Sequence, residues 1–331
     1  MLAGAALVLA LAPYLGRYSF RIDVLSAFLP FSPLLAMLAL AVGYGRMGWP
    51  IKAAAMGALL LSSMVIVPEL LARRGALQPV EGATITIVTH NLSRRNGDPQ
   101  ATVRMLAASD ADVLLLQEAH GTLAPHLSEL ARAYPYHDAC PGRCDLSIYS
   151  RLPIDKTTWR LRDGQGKPIG PELLWTRLTL PGGGVATIAT VHRPWTIPNH
   201  RQFYQRRALA EALRQGDTDG LILAGDFNLT PWGAGMRDFE DQIAPVRRAT
   251  RGIFSFPARV SGMPWPASFL PIDHMFVGQS WRILSVERLE RTGSDHYPIR
   301  VRLEWRPSDI RRATALNATA RGSTTMEQVR G

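Results

Sequence analysis

The sequence is poor in cysteine, has no internal repeat, and carries no long apolar run after residue 74. Without repeats, a solenoid of stacked units is excluded. Without long apolar runs, residues 75–331 are not expected to cross a membrane, and we expect a soluble globule there. The two cysteines, Cys140 and Cys144 in CPGRC, allow one internal disulfide at most. A Pro-Gly turn can bring them within bonding reach, and two free thiols are the alternative.

A strongly basic central segment is also missing, although the net charge is +10. Residues 1–74 contribute +4 and residues 306–331 contribute +3, which leaves +3 for residues 75–305. Nucleic-acid-binding domains usually concentrate basic charge on one face, so this distribution disfavours nucleic acid as a partner without excluding it. The basic flanks suit the anionic surface of a membrane.

Three apolar runs occupy the first 74 residues, at 2–15, 24–45 and 49–71. The second and third hold about the 20 residues that a helix needs to span a bilayer. The first is shorter, but it lacks the basic start and the cleavage site of a signal peptide. We therefore predict a membrane anchor of two to three transmembrane helices over 1–74, in a cell (inner) membrane. Buried helices of a soluble protein are the alternative.

The sequence leaves open which side of the membrane the globule faces. With three helices, four basic residues fall on the side of the globule and two on the other, which favours the cytoplasm. A disulfide in CPGRC would instead favour an oxidising compartment. The residues counted are Arg17, Arg21, Arg73 and Arg74 against Arg46 and Lys52.

Residues 84–305 show more strand patterns than helix patterns, with helices between groups of strands. This order predicts an α/β (α+β) fold of two packed sheets flanked by helices. One helix is expected to begin with Asp98 as its cap and Pro99 in its first turn. Residues 75–83 have the composition of a linker. The polar tail 306–331 lacks an apolar face and is expected to be disordered.

Polar side chains follow many of the apolar strands. In LILAGDFN, Asp226 and Asn228 stand two positions apart, so on an extended chain they point the same way. Taken singly, such residues are more often turn formers or caps than catalysts. As a set at one sheet edge they become candidates for a shared site. The further members are Asn91, Glu118, His192, Asp273, Asp295 and His296.

These residue types suit the hydrolysis of a phosphoester. Glu118 is a candidate ligand for Mg²⁺, which prefers oxygen donors and keeps several waters. Asp226 can take the proton of an attacking water or help to hold that water, and amides such as Asn91 and Asn228 can donate to phosphate oxygens without adding charge. Asp273 paired with His296 would fix the imidazole and keep it cationic.

The ordered motifs HN, LLLQE, TVH, GDFN, PIDHMFV and GSDH resemble the endonuclease/exonuclease/phosphatase superfamily over residues 84–305. The resemblance implies a DNase I-like, four-layer α/β/β/α sandwich of two mixed sheets and cleavage of P–O bonds that depends on Mg²⁺, with Mn²⁺ as the other candidate. It implies catalytic roles for His192, Asp226, Asn228, Asp273 and His296. It further implies phosphate binding by Asn91, His192 and Asn228, and metal binding by Glu118, Asn91 and Asp295.

The leading hypothesis is therefore a membrane-anchored, metal-dependent phosphodiesterase or phosphatase, with a lipid or a nucleotide as the substrate. An endonuclease acting on DNA or RNA and a non-enzymatic membrane scaffold are the alternatives. Trp195, Trp232 and Trp265 lie close in sequence to the candidate site. They are candidates for contact with a membrane interface or a base, with packing as the other interpretation.

Overall fold

A computed structural model describes residues 1–43, 45, 48–72, 75, 79–141, 144–159, 161, 165–193, 195 and 201–306. The helices in these ranges are α1 (Leu2–Leu15), α2 (Phe20–Leu25), α3 (Phe31–Gly43), α4 (Trp49–Leu70), α5 (Pro99–Ala107), α6 (Leu127–Ala133), α7 (Arg201–Gln215) and α8 (Ala234–Ile243). Short 3-10 turns cover Gly16–Tyr18, Ser26–Phe28 and Gly121–His126.

The strands in the same ranges follow the apolar runs of the sequence. They are β1 (Thr84–Asn91), β2 (Val113–Gln117), β3 (Tyr136–Ala139), β4 (Ser147–Ser150), β5 (Thr158–Trp159), β6 (Glu172–Thr179), β7 (Val185–His192), β8 (Leu221–Asp226), β9 (Arg247–Arg248), β10 (Arg259–Val260), β11 (Met263–Pro264), β12 (Asp273–Val277), β13 (Trp281–Arg288) and β14 (Ile299–Trp305).

The strands form two six-stranded sheets and one two-stranded ribbon, β10–β11. The first sheet has the order β13-β14-β1-β2-β4-β3, and the second has the order β5-β6-β7-β8-β12-β9. Each large sheet contains one parallel pair, β1 with β2 and β7 with β8, among antiparallel neighbours. Both are thus mixed sheets, as predicted.

The two sheets pack face to face around a common apolar core, to which β2 contributes Val113 and Leu115. The alternate residues Leu114 and Leu116 face the other way and pack against α5 and α6, as the two-residue period of a strand requires. The outer face of the second sheet packs in the same manner against α7 and α8. Each such buried leucine stabilises the fold by about 1.5–3 kcal/mol. The four-layer α/β/β/α sandwich is confirmed.

Helix α5 begins as predicted: Asp98 accepts a hydrogen bond from the backbone N–H of Ala101 at 3.0 Å, and Pro99 follows in the first turn. This cap satisfies one of the free N–H groups at the helix start and is worth about 1 kcal/mol.

Helices α1, α3 and α4 form a separate bundle. They pack through small side chains such as Ala6, Ala36 and Ala58, which have no exposed surface, and small residues allow helices to approach closely in membranes. Most of the large apolar side chains that are exposed in the described residues belong to residues 1–71. An apolar surface of this extent indicates contact with a membrane or a partner.

Within the described ranges, one helix, α4, is long and apolar enough to cross a membrane. Residues Phe20–Phe28 and Phe31–Gly43 reach that length only together, with a bend of 64° at their break, and Leu2–Tyr18 is a shorter apolar helix. Length and composition therefore support one span, or two when the bent pair counts as one, against the two to three that we predicted.

The bundle and the sandwich share specific polar contacts. Asp23 accepts hydrogen bonds from the backbone N–H groups of Ala234 and Gly235 at 2.6 and 2.9 Å, at the start of α8. The indole of Trp232 donates to the carbonyl oxygen of Ser26 at 2.5 Å. A carboxylate at a helix amino terminus also interacts favourably with the helix dipole.

A second link joins the end of α4 to the sandwich. The carboxylate of Glu69 binds the guanidinium of Arg248 through two contacts of 2.8 and 3.0 Å and that of Arg251 at 3.0 Å. Glu69 and Arg248 are both buried.

The described part of the predicted linker is bound to the sandwich, because the N–H groups of Glu81 and Gly82 both donate to Glu304 at 2.6 Å. The first residue of the predicted tail, Arg306, donates its N–H to Ser280 at 2.7 Å. Residues 307–331 lie outside the described ranges, and the disorder expected for 306–331 remains a prediction there.

Cys140 and Cys144 form a disulfide, the alternative that the sequence left open. It closes a short loop between β3 and β4. Replacing both cysteines with alanine should lower the free energy of unfolding by roughly 2 kcal/mol, because the unfolded chain loses a cross-link. Denaturant unfolding of the full-length protein in detergent measures this change. The wild-type protein treated with a reductant should lose the same amount, and no loss in either sample would contradict the prediction.

Candidate functional site

The polar ends of the strands meet at one edge of the sandwich because of the strand directions. The parallel pair β1 and β2 ends with Asn91 beside Gln117, and Glu118 follows directly. The parallel pair β7 and β8 ends with His192 beside Asp226. Strand β12 runs antiparallel to β8, so its first residue, Asp273, lies opposite Asp226.

Asp226 lies at the centre of this edge and is 1% exposed. Its Oδ2 accepts hydrogen bonds from Nδ2 of Asn91 at 3.1 Å and Nδ2 of Asn228 at 3.3 Å, and its Oδ1 accepts from the backbone N–H of Asn228 at 2.8 Å. Nε2 of His296 and Nε2 of His192 lie 3.7 and 3.9 Å from Oδ2. Four of the predicted site residues, Asn91, Asn228, His192 and His296, thus lie within 4 Å of the carboxylate of the fifth, Asp226.

His296 and Asp273 form a buried pair, with Nδ1 of the imidazole 2.8 Å from Oδ2 of the carboxylate. Burial alone would lower the pKa of His296, but the adjacent Asp273 raises it to about 10. The imidazole is therefore a cation at neutral pH. Burial and the charge of Asp273 raise the pKa of Asp226 above its usual range, so this carboxylate is a stronger base than an exposed one.

His192 is held by a residue that the sequence analysis missed, Asp145. Nδ1 of His192 lies 3.0 Å from Oδ2 of Asp145, which also accepts from the guanidinium of Arg94 at 3.1 Å. Burial would lower the pKa of His192, but the hydrogen bond that it donates to Asp145 and the charge of Asp226 raise it to about 9. The available signal was the position of Asp145 just before β4. Since β4 is antiparallel to β2, its amino end meets the same edge.

Asp145 orients the imidazole of His192, so its replacement should impair the site. For Asp145→Asn we expect kcat for the phosphoester hydrolysis that the sequence predicts to fall by about 10- to 100-fold, the usual cost of losing a partner that orients a functional histidine. Steady-state kinetics on full-length protein measures the loss, with Asp155→Asn, an exposed aspartate, as the control. Equal kinetics for the two variants would contradict this role.

The backbone at the site adopts uncommon conformations. Glu118 and Asn228 have φ angles of 54° and 50°, in the left-handed region that non-glycine residues seldom enter. Gly225 has φ 150°, and a Cβ there would lie 1.9 Å from the carbonyl oxygen of Val191. Only glycine fits before Asp226, which explains the Gly-Asp pair of the GDFN motif.

Among the residues that the structure describes, two groups of side chains have the chemistry to hold a divalent cation. Asp226, Asp273 and His296 offer ligand atoms within 4.8 Å of one another, but the hydrogen-bonded imidazole is cationic. Glu118 and Asp295 offer carboxylate oxygens and line one cavity of about 380 Å³. An all-oxygen set with room for water suits Mg²⁺ better than a set containing an imidazole.

The surroundings of Glu118 are basic and polar. Arg94, Arg95 and Arg259 line the same cavity as Glu118 and Asp295, and the N–H of Arg94 donates to Glu118 at 2.8 Å. Asn91 directs its amide nitrogen toward Glu118, at 3.4 Å, while its oxygen accepts from the N–H of Ser93 at 3.0 Å. In this arrangement Asn91 donates to the carboxylates, whereas metal binding would use its oxygen.

Of the three tryptophans that the sequence suggested for contact with a membrane interface or a base, two are exposed. Trp232 is 1% exposed and packs between the bundle and the sandwich, so interface contact is wrong for it. Trp195 is 47% exposed, and its ring lies 6.0 Å from that of Phe256, which in turn lies 4.8 Å from the ring of His296. Trp265 is 41% exposed.

A two-sheet sandwich with carboxylates, amides and imidazoles at one strand-end edge defines the class of DNase I-like folds. The profile of the Endonuclease/Exonuclease/phosphatase family matches residues 88–296, and the chain belongs to this family. Members of the family are phosphoester hydrolases and generally use divalent metal ions. Among curated protein sequences, none matches this chain.

Solved structures show the same fold. An endonuclease/exonuclease/phosphatase from Beutenbergia cavernae has a TM-score of 0.51 at 18% identity over 68% of this chain and 72% of its own. TDP2 from D. rerio, solved with a single-strand DNA product, has a TM-score of 0.53 at 18% identity over 67% of this chain and 99% of its own. A family protein from Bacteroides thetaiotaomicron has a TM-score of 0.53 at 17% identity over 69% of this chain and 100% of its own.

Proposed function

We propose that this protein is a membrane-anchored, divalent-metal-dependent hydrolase of phosphoester bonds, a phosphodiesterase or phosphatase. The observation that carries the proposal is the convergence on Asp226. One buried carboxylate accepts hydrogen bonds from two amides and has two imidazoles within 4 Å. Such a cluster combines a base with cationic and neutral donors, the groups that attack at phosphorus requires.

In the proposed reaction Asp226 takes the proton of the attacking water. The water oxygen bonds to phosphorus as the P–O ester bond breaks, and the leaving oxygen takes up a proton from solvent. The amides of Asn91 and Asn228 hold Asp226 in place. The raised pKa of Asp226 brings its proton affinity closer to that of a useful general base.

His296 and His192 supply positive charge to the phosphate. Each imidazole is held through Nδ1 by a buried carboxylate, Asp273 for His296 and Asp145 for His192. Their Nε2 atoms both approach Oδ2 of Asp226, so they are available to donate to oxygens of a phosphoester bound beside it. Cations fixed in advance stabilise the charge that develops in the transition state.

Glu118 and Asp295 would hold Mg²⁺ or Mn²⁺, with Asn91 as a further ligand if its amide turned. When bound, the cation would polarise the phosphoryl oxygen and neutralise charge on it. Glu118 also accepts hydrogen bonds from Asn91 and from the N–H of Arg94.

We further propose that α1, α3 and α4 form a multi-pass anchor in a cell membrane. The apolar exposed surface of residues 1–71 and the alanine contacts between the helices support this location. The disulfide favours an oxidising compartment for the sandwich. A lipid or nucleotide phosphoester is the favoured substrate. Nucleic acid is the second candidate, since TDP2 from D. rerio was solved in complex with a single-strand DNA product and three arginines line the cavity at Glu118.

The test is a panel of phosphoesters offered to the full-length protein in detergent. Phospholipids, nucleotides, short DNA and RNA, and chromogenic mono- and diesters are compared with Mg²⁺, with Mn²⁺ and with EDTA. We expect hydrolysis of at least one class, lost in EDTA and restored by the metal. Hydrolysis confined to DNA or RNA would favour the nuclease. No hydrolysis of any class with either metal would favour the non-enzymatic scaffold.

A further inference from the structure

A second, larger cavity lies between the helical bundle and the sandwich, away from Asp226. Its volume is about 1090 Å³, and its walls are the turn after α1, the start of α2, and helices α7 and α8. None of the candidate catalytic residues lines it.

Four arginines line this cavity: Arg17, Arg206, Arg207 and Arg214. The acidic residues around it are already engaged. Asp23 caps α8, Asp238 binds Arg206 at 2.9 Å, and Glu211 pairs with Arg214.

Arg17 and Arg207 are the other two arginines of the cavity. Within the described residues neither has a carboxylate partner. The Arg17 guanidinium lies 4.7 Å from the ring centre of Tyr18, and that of Arg207 lies 5.6 Å from the ring centre of Phe203. Guanidiniums that rest on aromatic rings are pre-oriented, and they remain able to bind an anion.

Arg206 adds a buried donor. It is 7% exposed, and its Nε has no hydrogen-bond partner in the described part of the chain. A Cβ at Gly235 would lie 2.3 Å from its Nη1, so the glycine leaves room for this guanidinium at the cavity wall. A buried donor without a partner is costly, and an anionic ligand would satisfy it.

The cavity lies where the apolar bundle ends. Tyr18, Phe20, Phe203 and Tyr204 line it and are 70%, 36%, 40% and 68% exposed. Aromatic side chains at the ends of membrane helices mark the level of the lipid headgroups. Arginines at the same level meet phosphate groups.

We propose that this cavity binds the phosphate of an anionic membrane phospholipid, with its acyl chains along the apolar bundle. The inference rests on the membrane location proposed above, but not on catalysis. The bound lipid bridges the turn after α1 and helix α7, and it therefore stabilises the junction between the anchor and the sandwich.

The test uses the full-length protein in a neutral detergent with EDTA present, so that metal-dependent hydrolysis does not intervene. Short-chain phosphatidylglycerol is added, and its dissociation constant is obtained from the rise in the unfolding temperature. Phosphatidylcholine and inorganic phosphate are added in parallel. The doubly substituted variant R17Q/R207Q is compared with R104Q/R132Q, which removes two exposed arginines from the opposite helical layer.

We expect phosphatidylglycerol to stabilise the wild type, with a dissociation constant raised roughly tenfold or more in R17Q/R207Q and unchanged in R104Q/R132Q. If phosphatidylglycerol binds equally weakly to the two variants, its binding depends only on the net charge of the protein, and the proposed site is overturned. Equal stabilisation by inorganic phosphate would overturn the lipid as its occupant. Hydrolysis of a soluble phosphoester should be the same in R17Q/R207Q and wild type. A protein that binds the lipid but hydrolyses nothing would refute the proposed enzyme and leave this site standing.

Discussion

Asp226→Asn should lower kcat for phosphoester hydrolysis by about 10³-fold, within the 10²- to 10⁴-fold range of a general base. The amide keeps the size of the side chain but cannot take a proton from water. The fold should not suffer, because the substitution removes a buried charge next to Asp273, which helps to raise the pKa of Asp226. Kinetics and thermal unfolding of the full-length protein measure the two effects.

The matched control is Asp241→Asn, an exposed aspartate on α8. It removes one negative charge at a distance from the site and should leave kcat unchanged. Activity of Asp226→Asn within threefold of the wild type, on the order of 0.7 kcal/mol in the barrier, would exclude Asp226 as the base.

The largest decrease in the free energy of unfolding is expected for a substitution in α4. Glu69→Gln should lower the free energy of unfolding by about 3 kcal/mol, because breaking a buried ion pair leaves charge without compensation. Arg248 keeps its contact with Glu240 at 2.5 Å, which limits the loss to the lower end of the range. Denaturant unfolding of the full-length protein in detergent measures it.

An exposed pair provides the comparison. Glu287 binds Arg300 at 2.9 Å, and Glu287 is exposed at 47% of its side chain. Glu287→Gln should cost less than about 1 kcal/mol, as is usual for a surface ion pair. If Glu69→Gln costs no more than Glu287→Gln, the bundle does not stabilise the sandwich through this contact.

The sequence was sufficient to predict the sandwich because the long strands have a clear apolar pattern. The runs that became β1, β2, β7 and β8 were all recognisable, and the polar residue at each end followed from where the pattern stopped. Short strands such as β5 and β9, of two residues each, have no pattern of their own, since neighbouring strands determine them.

Within the site, residues that end or begin a long strand were predictable, and Asp145 was not. It precedes a four-residue strand, β4, and only the antiparallel pairing of β4 with β2 brings it to His192. The roles assigned to the site residues remain predictions, although the structure brings most of them together around Asp226.

The contacts of Asp23 and Glu69 could not have been predicted either. Each joins residues more than 170 positions apart, and both acids stand beside or within apolar runs that indicated only membrane helices. Pairing over such a separation depends on how the two bodies pack, and no local pattern indicates it.

Because Asp23 caps α8, the N-terminal segment cannot be replaced by an unrelated segment without a structural cost. Helix α8 begins after Gly233, which has no side chain with which to cap it, so its first N–H groups rely on a carboxylate from another part of the chain. A chimera with a foreign helix in place of residues 2–43 would lack this carboxylate, and the N–H groups of Ala234 and Gly235 would lose their hydrogen-bond acceptor. The N-terminal segment thus completes the start of α8 in the sandwich, and the two parts of the chain are not structurally independent.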